Sequence, residues 1–364
     1  MKFADFHLLP RLHGAARALA WLAAVACGTV LAATTDISNA PLFTSSTASV
    51  KPNIMFILDD SGSMASDYIP DEANTFSMTE YGFRASQCNG LGYNPSVTYS
   101  LPVTSTGTSA TAGTMGFMDP STQVSNARSI SNITAANYPS AAGGTVTVVV
   151  TGGSYQSSWY STAGNEIVTV FGSATQFFTG IVTAWNTGNG NLTIKVMAVV
   201  GSGSLSSPKV GQGLANTYFT YSGTQPKLVY AYDASANLLT GSTFYTECNS
   251  KIGSAPGSGV FTGFAVGSAS TEAQNFANWK QYYTTRMNMM KTAMSLAFKG
   301  VDSRYRVGFS TISARTAAES TSFLNIRDFD ATQKATFYTD LNAASPAINT
   351  PLRGALSKAG QYYS

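Results

Sequence analysis

Asp59, Ser61 and Ser63 occupy alternate positions in "NIMFILDDSGSM", Asn53 to Met64, directly after an unbroken apolar run from Ile54 to Leu58. Carboxylate and hydroxyl oxygens with no nitrogen or sulfur among them suit a hard cation. Mg²⁺ in particular takes octahedral oxygen and keeps waters. The hydroxyls are neutral, so the ion's charge stays partly uncompensated and can attract an anionic group from a partner. Gly62 lets the loop fold tightly. Asp60 reads as the variable residue of the pattern, facing solvent. The plainer alternative is a strand-ending turn in which Asp and Ser cap the next backbone amides.

Such oxygens need a rigid mount. An apolar run of this length bounded by polar residues reads as a strand buried on both faces, the signature of inner strands in parallel α/β sheets. In open α/β sheets, ligand sites lie just beyond the carboxyl ends of such strands. After Thr271 a helical period appears: Phe276, Trp279, Tyr283, Met287, Met290, Met294 and Phe298 recur every three or four residues. We read this stripe as core, on one helix stopped by Gly300. "YRVGFSTI" (Tyr305 to Ile312) predicts a second buried strand. "DATQKATFYTDLNAA" predicts a helix with Asp330 at its N-cap. "SPAINTPLRGALSKAGQYY" predicts a loop from Ser345 to Thr350 feeding a helix that starts at Pro351. Strand and helix alternate, which points to a parallel sheet.

Lys2, Arg11 and Arg17 precede an apolar segment from about Ala18 to Leu31, and "VLAA" (Val30 to Ala33) offers a small-residue cleavage site. This pattern predicts export by a signal peptide over residues 1–32, the alternative being an uncleaved anchor. Both histidines, His7 and His13, lie in that leader. The remaining chain therefore lacks the ring needed for Ser-His-Asp or Cys-His catalysis or for a histidine-bound metal. No phosphate-binding G-x-x-x-x-G-K-[ST] loop or G-x-S-x-G elbow occurs either, so a non-enzymatic protein is expected. A Ser61/Lys hydrolase is the remaining catalytic alternative. Beyond the leader, 18 Lys and Arg face 17 Asp and Glu, which argues against a nucleic-acid partner. Two cysteines remain there, Cys88 and Cys248, and an even pair in an exported chain reads as a disulfide.

Composition divides the rest into a lead-in (33–52), the metal-site loop and its strand (53–73), a segment poor in charge and rich in Gly, Ser, Thr and Asn (74–270), and a final part (271–364). Within the poorly charged segment, "GTVTVVVTGG", "EIVTVFG", "TGIVTAWNTGNGNLTIKVMAVVGSGS" and "KLVYAYD" are short β-branched and aromatic runs between Gly and Asn turn signals. They predict hairpins. A partly disordered loop is the alternative. "FTGIVTAWNTGNGNLTIKV" resembles a small β repeat of phage-tail and surface-fibre proteins, which leaves a structural fibre as the second functional reading.

"FILDDSGSM" resembles the first motif of the metal-ion-dependent adhesion site of von Willebrand factor A domains, and "TPLRGAL" matches the later loop whose threonine is a ligand. The resemblance implies Asp59, Ser61, Ser63 and Thr350 as the metal residues, with Mg²⁺, Mn²⁺ or Ca²⁺ as cofactor. It implies an α/β fold of Rossmann type, mostly parallel with helices on both faces, carrying a large β-rich insertion. A third piece of the site, an aspartate in Thr-Asp-Gly, is expected after the last helix, so the domain reads as truncated at Ser364. Together with "TDISNAPLF", "YNPSVTY", "NFANWKQYYTTRMNMMKTA" and "YRVGF", these motifs resemble the amino-terminal part of PilC/PilY-type type IV pilus adhesins and assembly factors. That resemblance implies a place in the periplasm, at the outer membrane and at the pilus tip. It also implies minor pilins and host-cell or abiotic surfaces as partners.

Overall fold

The structure, a computed structural model, describes residues 50–69, 71, 73, 78–153, 155–162, 166–223, 247–253, 260–313, 323–347 and 349–364. Residues 1–32, where a signal peptide is expected, and the run "KLVYAYD" (Lys227 to Asp233) lie outside the described residues.

Strands run over β1 (Asn53–Leu58), β2 (Ser125–Ser129), β3 (Thr145–Val149), β4 (Ile167–Ser173), β5 (Gln176–Asn186), β6 (Asn191–Val200), β7 (Lys209–Gln212), β8 (Thr217–Tyr221), β9 (Phe261–Ala265), β10 (Arg306–Thr311) and β11 (Leu324–Asp328). The α-helices are α1 (Ala273–Tyr282), α2 (Arg286–Ala297), α3 (Ala331–Ala343) and α4 (Leu352–Tyr363).

The apolar run before the aspartates is β1, paired in parallel with β10 from Asn53 opposite Arg306 to Leu58 opposite Thr311. β11 joins the far side of β10 antiparallel, giving a three-stranded sheet in the order β1-β10-β11. Leu58, Val307 and Phe309 bury one face against Met287 of α2, Phe298, and Phe337, Tyr338 and Leu341 of α3. The Phe337 ring lies 4.6 Å from that of Phe298 and 5.7 Å from that of Phe309. Such aromatic contacts add to the burial of area. Over most of its length β1 is only partly buried, Leu58 being its one fully buried residue, because it forms an edge of this sheet.

The expected Rossmann-like von Willebrand factor A sheet, mostly parallel with helices on both faces, is overturned. Among the described strands one pair alone, β1 with β10, is parallel. The largest sheet has six strands in the order β2-β7-β4-β5-β6-β3, and every pairing in it is antiparallel. The physical reason lies in the intervening segment. Short β-branched runs separated by Gly and Asn turns close on their neighbours as hairpins, whereas a parallel pair needs a crossover of a dozen residues or more. Leu192, Ile194 and Val196 of β6 alternate inward onto Val168, Val170, Phe178 and Val182. The β5–β6 turn relies on Gly190 at φ +73°, where a Cβ would meet the Val150 carbonyl oxygen at 2.7 Å and the Tyr155 ring at 2.6 Å.

Cys88 and Cys248 are joined by a disulfide across a sequence separation of 160. The bridge sits in a cluster with Ala85, Ile167, Ile181, Phe219 and Phe261, beside the two-stranded sheet of β8 and β9.

The single helix expected over the Met and aromatic stripe is instead two. The chain breaks after Tyr282, and Thr285 caps α2 by accepting a hydrogen bond from the Asn288 N–H. The stripe is divided accordingly. Phe276, Trp279 and Tyr283 pack with Tyr93, Tyr99 and Tyr218, whereas Met287, Met290, Met294 and Phe298 pack on the β1-β10-β11 sheet.

Candidate functional site

β1 delivers Asp59 to Ser63 at its carboxyl end, and the chain then turns into a short 3₁₀ segment over Gly62–Ala65. The Asp59 carboxylate turns back on the loop, its Oδ1 accepting from the Ser61 N–H at 2.8 Å. The Ser61 and Ser63 hydroxyl oxygens are 3.1 Å apart. Ser61 is buried, at 2% exposure, and Ser63 is exposed, so the pair forms a lip between core and solvent.

This spacing tests whether a cation fits. Neighbouring ligands on an octahedral Mg²⁺, each at about 2.1 Å, lie about 3 Å apart. The two hydroxyls match that edge without rearrangement. Among the described residues no group of three or more His, Cys, Asp or Glu could hold a metal. A cation here would therefore rest on hydroxyls, with a carboxylate close by.

Asp60 departs from the expectation of a solvent-facing residue: it is 6% exposed. Its Oδ1 accepts from the Ser313 N–H at 3.1 Å, and its backbone carbonyl accepts from the Ala347 N–H at 2.5 Å. Asp60 thus joins three segments: the β1 loop, the residues after β10, and the 345–350 loop. The signal was present in the alternation of the strand. Leu58 points inward, so the residue two places on shares its side. The Ser313 hydroxyl, buried and without a hydrogen-bond partner, lies in the same region. Nothing in the sequence marked Ser313 or Ala347.

Thr350 is exposed, at the end of the loop that Ala347 ties to Asp60, and its carbonyl accepts from the Leu352 N–H at the start of α4. One backbone hydrogen bond, from the Ala347 N–H to the Asp60 carbonyl, therefore ties the loop that leads to Thr350 to the end of β1. It does so without the mostly parallel sheet that the two motifs implied, on the single parallel pair of β1 and β10 among the described strands.

No protein-family model and no solved structure matches the chain. Curated proteins do match. Type IV pilus biogenesis factor PilY1 of Pseudomonas aeruginosa strain PAK is 24% identical over 358 residues, covering 95% of this chain and 24% of that protein. The chain resembles PilY1. PilY1 of strain UCBPP-PA14 of the same species is 25% identical over 331 residues, covering 90% of this chain and 22% of that one. The chain thus spans about a quarter of the length of the PilY1 proteins it matches. The similarity to PilY1 runs through the hairpin-rich segment as well as the flanking motifs, since it covers nearly the whole chain. Among the described residues no helix is long and apolar enough to cross a membrane.

Proposed function

We propose that this chain acts, without catalysis, in type IV pilus biogenesis, as an exported factor that binds its partners through a divalent cation. The observation that carries the cation is the Ser61–Ser63 hydroxyl pair, 3.1 Å apart just beyond the carboxyl end of β1. Ser61, Ser63 and Thr350 would hold Mg²⁺, Mn²⁺ or Ca²⁺, with Asp59 close by through water. The ion would supply positive charge that the neutral hydroxyls leave uncompensated, and an acidic group of a pilus subunit or a surface would complete its shell. The pilus role is supported by the similarity to PilY1 along 95% of the chain. Export to the periplasm and the cell surface is supported by the pattern of the first 32 residues and agrees with the pilus role of those relatives.

The test is binding of the exported chain to purified minor pilins in Mg²⁺ and in chelator, beside the double variant Ser61→Ala plus Ser63→Ala. The expected result is binding in Mg²⁺ alone, lost in the double variant while thermal unfolding is unchanged. Equal binding in chelator would overturn the cation and favour a structural fibre component.

A further inference from the structure

A cavity of about 500 Å³ opens where the 86–99 segment passes Tyr283 and α2, a size typical of small-molecule sites. We propose that it binds a neutral saccharide. Among the described residues no acidic or basic side chain lines it; Gln87, Asn94, Ser96 and Thr98 supply amides and hydroxyls, and Tyr99 and Tyr283 supply rings.

The hydrogen bonds within the wall leave the right groups over. Asn94 Oδ1 accepts from the Ser96 N–H at 3.0 Å, and Gln87 Oε1 accepts from the Tyr221 N–H at 3.3 Å. Both amide NH₂ groups then remain to donate, beside the Ser96 and Thr98 hydroxyls, which donate or accept. The phenols are occupied at their far ends. Tyr99 OH accepts from the Asn94 N–H at 2.9 Å, and Tyr283 OH donates to the Ser100 carbonyl at 2.7 Å. What these residues offer the cavity is chiefly the partly exposed Tyr283 ring, 4.9 Å from and edge to face with the Tyr99 ring, which is itself buried and stacked on Tyr93. Burial raises the Tyr99 phenol to about 12 and raises Tyr283 as well, so the wall stays uncharged at any physiological pH.

This pattern selects a ligand class. A sugar ring carries hydroxyls around its edge and C–H groups on its faces, matching neutral hydrogen-bonding groups beside aromatic surface. A phosphate or carboxylate ligand would find no cation, and a lipid tail would strand the amides unpaired. The wall is also held in place before any ligand arrives. Asn275 of α1 accepts from the Tyr99 N–H at 2.9 Å and donates to the Val97 carbonyl at 2.8 Å, fixing the strip that carries Val97 to Tyr99. Preorganisation of this kind lowers the ordering cost of binding.

The experiment titrates the exported chain with diacetylchitobiose and with lactose, following the Tyr99 and Tyr283 ring signals by NMR, with sialyllactose as the anionic control. Saturable binding of at least one neutral sugar is expected, tighter than that of sialyllactose. Ser96→Trp, at an exposed position on the rim, should weaken it at least about tenfold with unchanged thermal unfolding. Thr98→Trp serves if the first variant fails to fold. No saturation by either neutral sugar up to about 10 mM, sialyllactose binding equally well, or full binding by a folded rim variant would each overturn the site.

Discussion

The Ser313 backbone N–H donates to the buried Asp60 carboxylate at 3.1 Å, linking the segments that follow two parallel strands, β1 and β10. Because the Asp60 carbonyl also receives the Ala347 N–H, one residue holds together the loop carrying Ser61 and Ser63 and the loop carrying Thr350. Asp60→Ala removes the acceptor and leaves the Ser313 amide unpaired, which should cost about 1–3 kcal/mol in denaturant unfolding. Asp60→Asn keeps an oxygen in the same place and should lose less. Equal stability of the Ala variant and the parent chain would show that the link carries no weight.

Thr350 is exposed and lies at the end of a loop whose anchor is the backbone of Ala347, so its side chain can be removed without disturbing that anchor. Thr350→Ala should weaken Mg²⁺ or Mn²⁺ affinity, measured by calorimetric titration, while the unfolding temperature stays within about 1 °C of the parent. Unaltered affinity would remove Thr350 from the ligand set and leave the two serines.

The bridge between Cys88 and Cys248 closes a loop spanning a sequence separation of 160. The loop-entropy model values such a closure at about 5 kcal/mol, an upper figure because real bridges often deliver less. Thiol titration of non-reduced, exported protein should find neither cysteine reactive, and reduction should lower the unfolding midpoint markedly. Two titratable thiols would contradict the bridge.

Stability should vary with pH in two opposed windows. Burial, aided by the Arg84 charge, lowers the Lys280 amine to about 7, against 10.5 when unfolded. Between those values the unfolded chain holds the extra proton, so stability rises with pH from about 7 upward and is lost as pH falls to 7. Burial raises the Asp340 carboxyl to about 6 from 3.8. There the folded chain holds the extra proton, so stability falls as pH rises from about 4 to 6. Thermal unfolding should therefore pass through a minimum near pH 6–7, at the junction of these windows. Lys280→Met should flatten the alkaline limb and Asp340→Asn the acid limb. A midpoint independent of pH across this range would contradict both.

Local chemistry was legible where a residue and its immediate neighbours decide the outcome. The strand at Ile54 to Leu58, the Asp330 N-cap that accepts from the Gln333 N–H at 2.9 Å, and the hairpin around "NTGNGN" follow from propensity, capping and turn residues alone. The break between α1 and α2 was not legible. A period near 3.6 continues across Tyr283 to Thr285, and only the presence of two separate cores, one for each half of the stripe, gives the break a purpose.

The sequence by itself determined the oxygen-rich loop, the absence of histidine after His13, the pairing of two cysteines and the β-branched runs of the central segment, because each is a property of residue type and short spacing. Tertiary structure alone decided that the Asp60 carboxylate meets the Ser313 amide, and that the Thr350 loop is tied back to the aspartates through Ala347. Those outcomes depend on which strands and loops meet across separations of about 250 residues or more, and there backbone hydrogen bonds, which carry no side-chain signature, make the choice.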